Sequence, residues 1–252
     1  MIPLRGTVCT LIFAWRVFEK APICVAANRD EMIDRPSSPP QVRGEDPAVL
    51  APRDERAGGT WIGYNEAELF TAVTNRWVTG EGERSRGLLV DDCLRERSAA
   101  DAVTLVESEL HRRSYAPFHL LVADEKTCYL FAHDGGGDLT RQRLSPGVHI
   151  VVNVGFDGEW FVPDYRPDAG RQQARNADRI LAELQPEDGE TAVEWTERAG
   201  SILGDHDYGV CIHGNGFGTR SSSLIRLGEK RVFEYADGPP CETPFRRIDT
   251  NV

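Results

Sequence analysis

The chain has 252 residues, 40% of them hydrophobic, enough for one sizeable core in a single domain. A formal net charge of -11 argues against a nucleic-acid partner, because phosphate binding needs a basic surface and the arginine-containing stretches all carry acidic neighbours. No apolar run approaches the length of a membrane span, and six cysteines without paired spacing suit a reducing, cytoplasmic compartment.

Arg5 and the apolar run from Val8 to Trp15 superficially suggest an export signal, but Arg16, Glu19 and Lys20 follow at once and no small-residue cleavage site is present. Thr10 to Phe18 and Ile23 to Asn28 are short apolar runs around Glu19-Lys20-Ala21-Pro22, which predicts a β-hairpin. A turn centred near Lys20 sets Cys9 opposite Glu31, within a residue or two of Arg29 and Asp30. One thiol then meets one cation and two carboxylates. The first strand is apolar on both alternating faces, as expected when it is covered above and below.

Asp34 to Arg56 is polar and rich in proline and reads as a long covering loop. Gly58 to Gly63 and Leu69 to Asn75 read as strands that extend the hairpin into a four-stranded meander. Gly87 to Arg97 and Asp101 to Arg113 read as a helical pair, the second carrying Val103, Val106 and Leu110 at helical spacing. Phe118 to Ala123, Thr127 to His133 and Val148 to Asn153 return to strand character. Asp168 to Leu184 and Ala192 to Leu203 read as a second helical pair. Three short strands close the chain, Tyr208 to His213, Ser222 to Leu227 and Arg231 to Tyr235, with Gly214 to Arg220 as a bend, before a polar tail from Gly238. This order is α+β, and its simplest packing is a four-layer αββα sandwich of two antiparallel sheets flanked by helices.

Cys9-Thr10-Leu11, Ala27-Asn28-Arg29-Asp30-Glu31 with Arg35-Pro36, Gly58-Gly59-Thr60-Trp61, Thr74-Asn75, Arg86-Gly87, Tyr208-Gly209-Val210-Cys211 and Gly218-Thr219-Arg220 together resemble the NRDE family. Its eukaryotic members are called transport and Golgi organisation protein 2. The resemblance spans nearly the whole chain and implies an N-terminal nucleophile hydrolase-like fold, in which a cysteine is the first residue of the mature protein. This chain departs from the pattern because Met1 to Val8 precede Cys9, with Val8 at the family's usual Met position. Residues 1–8 are therefore read as an extension, either a translation carried too far upstream of a GTG start codon at Val8 that is read as Met or a short propeptide, and 9–252 as one domain.

A free α-amine on Cys9, with a pKa of about 7.7 to 8.0, can take the thiol proton, so nucleophile and base share one residue. Arg29 would favour the thiolate, and Asp30 would hold the ammonium or orient the leaving group. By resemblance to the penicillin and bile-salt acylase branch, Asn75 and Asn153 are candidates for an oxyanion hole or amide clamp, and Arg220 for a second positive charge. The implied reaction is cleavage of a linear amide or related acyl bond through a thioester, with no cofactor and a small molecule as substrate. The alternative is a non-catalytic carrier of a hydrophobic small molecule, such as a lipid, acyl-CoA or haem. Asp205, His206, Asp207, Cys211 and His213 offer ligating atoms, but Cys211 and His213 share a face without a fixed third ligand, so no metal is assigned. Trp61, Trp77 and Trp160 read as core or pocket wall rather than a cofactor cage. The sequence sets neither the substrate nor the oligomeric state.

Overall fold

The computed structural model describes residues 9–137 and 139–249, so the assignment of residues 1–8 as an extension lies outside the described residues. The hairpin forms as expected, with β1 (Cys9–Phe18) antiparallel to β2 (Ala21–Met32), but its register differs. Cys9 faces Arg29, not Glu31. The turn is tighter, with Phe18 opposite Ala21, and a bulge between Trp15 and Phe18 puts an extra residue in β1, where Arg16 adopts φ 53. A turn-centred count cannot see a bulge.

β2 also pairs along its length with β13 (Phe217–Leu227), and β1 pairs with β10 (Gly147–Val152). The outer strands are β11 (Gly155–Phe156) and β12 (Glu159–Trp160) on one side, and β14 (Val232–Ala236) and β15 (Arg246–Ile248) on the other. They complete an eight-stranded sheet with the hairpin at its centre. The second sheet has seven strands in chain order: β3 (Ser37–Arg43), β4 (Val49–Asp54), β5 (Ile62–Asn65), β6 (Phe70–Asn75), β7 (Phe118–Ala123), β8 (Cys128–His133) and β9 (Leu139–Arg143).

Three expectations are corrected here. The segment read as a loop from Asp34 to Arg56 contains β3 and β4, because Pro39 and Pro40 stand on an edge strand where a missing N–H costs no ladder bond. The meander does not continue the hairpin, since β5 and β6 belong to the other sheet. Tyr208 to His213 is not a strand. His206–Tyr208 is a single 3-10 turn that ends on Gly209 at φ 63, and the Asn28 side chain takes the Val210 carbonyl that a sheet partner would have used.

The first helical pair is α1 (Arg86–Cys93) and α2 (Ala99–Arg112), and the second is α3 (Pro167–Glu183) and α4 (Ala192–Gly204). Each begins where its sequence allows. Ser85 and Ser98 cap α1 and α2, Pro167 opens α3, and Thr191 with Glu194 forms a capping box on α4. Alternation along the strands sorts the core into three layers. Leu11, Phe13, Trp15 and Val25 meet Leu50, Tyr64, Phe70 and Leu121 between the sheets. Ile12, Ala26 and Ile150 pack under Ile180 and Trp195 of α3 and α4, and Leu120 and Val122 under Val90 and Val106 of α1 and α2. The architecture is the expected αββα sandwich. Trp15 Nε1 donates to the Asp124 carbonyl at 2.8 Å and ties the sheets together at one end. Among the described residues, no helix is long and apolar enough to cross a membrane.

Candidate active site

Cys9 shares the alternation of Leu11 and Phe13, so it points between the sheets, and as the first residue of β1 it sits at their rim. There the seams part into a cleft of about 110 Å³. Cys9, Arg29, Asp30 and Glu31 line it from the eight-stranded sheet, Trp61, Val73 and Asn75 from the side of the seven-stranded sheet, and Arg86 from the start of α1. A narrow apolar recess bounded by Leu11, Ala27, Trp61, Ile62, Ala72 and Val73 continues from Cys9 into the interior.

The thiol is half-buried, and its backbone nitrogen donates to Asn153 Oδ1 at 3.1 Å. Burial first, and the Asp30 carboxylate second, push the thiol up to about 12, against the opposing pull of the Asp30 backbone N–H and the Arg29 guanidinium. Arg29 therefore pulls toward the thiolate, but burial outweighs it. The guanidinium is buried, bonded to Asp54 Oδ2 at 3.2 Å and stacked over Trp61 at 4.1 Å. Asp54 also accepts from Arg35 Nε at 2.7 Å and from the backbone of Arg56 and Ala57, so one carboxylate fixes two arginines. Asp30 is fully buried, and desolvation raises its carboxyl well above the usual range although Thr219 Oγ1 donates to its Oδ1 at 2.5 Å. Asp30 Oδ2 and Arg29 Nη1 are buried with no hydrogen-bond partner among the described residues.

Asn153 follows β10 on one sheet and Asn75 ends β6 on the other. Asn153 Nδ2 donates to the Asn75 carbonyl at 2.7 Å, while its Oδ1 receives Cys9 N and, at 3.1 Å, Gln173 Nε2. The Asn153 amide is thus engaged at both ends and holds Cys9 in place. Asn75 lines the cleft.

Two predicted residues direct their polar side-chain atoms elsewhere. Asn28 points to the opposite face of β2, where its Nδ2 donates to the carbonyls of Leu203 and Val210 and its Oδ1 accepts from Ser222. Arg220 sits at a bulge in β13 and its guanidinium bonds Asp237 at 2.8 Å; it is not a cleft-lining residue. Three residues were missed. Arg86 stands in a quoted motif and Thr219 beside a selected arginine, while Asp54 closes the short strand Val49–Asp54, whose apolar start Val49-Leu50-Ala51 lies within a segment that its prolines disguise as loop. Of the tryptophans, Trp61 walls the cleft, Trp77 is buried beneath Arg166, and Trp160 bonds Asp178. Outside the cleft, Cys241 joins His206, Cys211 and His213, with one ligating atom of each lying within 4.8 Å of the others.

The family model described as Transport and Golgi organisation 2 matches residues 8–237. A Bos taurus transport and Golgi organization protein 2 homolog is 28% identical over 226 residues, 81% of each chain, and a Mus musculus homolog is 25% identical over 91% of this chain and 90% of its own. Among solved structures, penicillin V acylase from Agrobacterium tumefaciens superposes with a TM-score of 0.59 at 14% identity, over 96% of this chain and 86% of that one. The Caenorhabditis elegans ortholog of N-acylethanolamine-hydrolyzing acid amidase superposes with a TM-score of 0.57 at 15% identity, over 86% and 92%. These superpositions show a shared N-terminal nucleophile hydrolase-type fold.

Proposed function

Because the chain belongs to the Transport and Golgi organisation 2 family, and its fold is that of acylases and amidases, we propose that it is a cysteine-dependent hydrolase of a linear amide or related acyl bond. The observation that carries this reading is a pair of buried atoms without partners among the described residues, Arg29 Nη1 and Asp30 Oδ2, on two residues that line the cleft together with Cys9. Buried polar atoms without partners are costly, and at the mouth of a cleft they suit a ligand that completes them. The charged lining also disfavours a carrier of purely hydrophobic cargo.

In this proposal residues 1–8 are absent from the mature protein and the Cys9 nitrogen is a free amine. The amine takes the thiol proton, and the thiolate sulfur adds to the substrate carbonyl carbon. The carbonyl electron pair moves to oxygen, and Asn75 donates to that oxyanion. Collapse breaks the carbon–nitrogen bond, and the leaving amine takes the proton from the Cys9 ammonium. Water then adds to the thioester with the amine again as base, releasing a carboxylic acid and restoring the thiol. Asp30 Oδ2 accepts from the ammonium while it exists, and Arg29 Nη1 donates to the polar part of the substrate. Asn153 positions the Cys9 nitrogen. The free cysteines support a cytoplasmic setting.

The test is the intact mass of protein expressed from its own start, followed by labelling with a thiol-directed acyl probe. A mass beginning at Cys9, with labelling at Cys9 that is lost in Arg29→Ala, is the expected result. A chain that retains Met1 to Val8 and turns over no amide would overturn the hydrolase reading and favour a binding protein.

A further inference from the structure

The segment between α4 and β13 carries two histidines and a cysteine, and the turn after β14 brings a second cysteine to them. We propose that His206, Cys211, His213 and Cys241 form a structural site for one tetrahedral zinc-class divalent ion. Cys211 Sγ lies 3.4 Å from Cys241 Sγ and 3.7 Å from His213 Nε2, and His213 Nε2 lies 3.1 Å from Cys241 Sγ. The His206 ring stands edge-on to that of His213, with centroids 5.1 Å apart. A tetrahedral ion with bonds of roughly 2.0 to 2.3 Å to nitrogen and sulfur separates its ligand atoms by roughly 3.3 to 3.8 Å. Two of these three edges fall within that range and the third is slightly shorter, and all four ligating atoms lie within 4.8 Å of one another, so side-chain adjustment brings them to an ion.

Independent features support a built site. The backbone bearing the ligands is held at several points: Asn28 bonds the Val210 carbonyl, Thr219 Oγ1 accepts from Ile212 N at 2.9 Å, and Thr219 N donates to the Ile212 carbonyl at 2.9 Å. With Nε2 of His213 toward the sulfurs, its Nδ1 is turned to the side of the Glu242 carboxylate, 4.0 Å away. Two thiolates and two imidazoles leave no open position, which marks a structural ion rather than a catalytic one. Binding converts two thiols to thiolates, so each ion taken up releases two protons and the neutral imidazoles complete a charge-balanced site. The ion would clamp the segment after α4 to the C-terminal tail at Cys241.

The full chain, purified with reductant and stripped with chelator, is titrated with cobalt(II) and then zinc(II). We expect one cobalt per chain with intense thiolate-to-cobalt charge-transfer bands and tetrahedral ligand-field bands, bleached by zinc, with release of two protons per ion. Cys241 and His206 are exposed, so Cys241→Ser and His206→Ala should fold, and each should weaken cobalt binding at least ~10-fold, while Cys9→Ser leaves it unchanged. A cobalt spectrum without thiolate bands in the reduced wild type, or undiminished binding in Cys241→Ser, overturns the site. So does a Cys211–Cys241 disulfide that persists under these reducing conditions.

Discussion

At the residue scale, the chemistry turns on charge held where water is scarce. Asp30 illustrates it: its burial raises its own carboxyl, and its charged form raises the Cys9 thiol. Asp30→Asn keeps an oxygen for Thr219, so the fold should hold to within about 1 kcal/mol. Removing the charge should let Cys9 ionise at lower pH, and alkylation of Cys9 near about pH 8 should quicken severalfold. Amide turnover should fall, because the ammonium loses its acceptor. Rates of iodoacetamide labelling against pH, read by mass at Cys9, check this; a profile identical to wild type would show that Asp30 carries no charge beside the sulfur. That Cys9, Arg29 and Asp30 gather at one point was legible in the hairpin. Their titration was not, because burial depends on the opposite sheet.

At the element scale, the cleft's far wall depends on how closely α1 approaches the chain before β5. Thr60 N donates to the Gly87 carbonyl at 3.0 Å, and a Cβ on Gly59 would lie 2.2 Å from the Gly87 carbonyl carbon. This contact seats Arg86 beside Cys9. Gly59→Ala must push α1 away, at about 3 kcal/mol, and should lower the melting temperature by roughly 10 °C. Gly58→Ala is the control: its added Cβ meets open space, and only the left-handed φ of 82 opposes it, at about 1 kcal/mol. Calorimetry of the two variants should separate them, and equal melting points would mean that α1 is free to shift. The glycines stood out in the sequence as allowing close approach, yet their partner, 28 residues on, did not.

At the scale of the whole molecule, the two sheets close over His119, which is 2% exposed and stands beside Thr74 on the paired strand. Burial first, and the charge of Arg76 second, lower its imidazole from 6.5 to about 3. A depressed folded-state value means that stability is complete above 6.5 and is lost as pH falls toward 3, at up to about 1.4 kcal/mol per pH unit. His119→Gln removes this contribution, so its melting temperature should fall less steeply than that of wild type between pH 6.5 and 4. Parallel curves for the two proteins would mean that the imidazole takes up its proton equally readily folded and unfolded.

Local pattern in the sequence was enough for the αββα order, the hairpin that presents Cys9, and the capped helices, because alternation, helical spacing and capping residues act between near neighbours. Tertiary structure alone decided the Cys9–Arg29 register, through a bulge, and the strands within Asp34 to Arg56, through an edge where proline is harmless. It also decided the roles of Asp54, Arg86 and Thr219, the separation of Asn28 and Arg220 from the cleft, and the approach of Cys241 to Cys211 and His213. Each of these rests on a contact between residues distant in the chain or on the dielectric of a closed interior, and neither is encoded in spacing along the sequence.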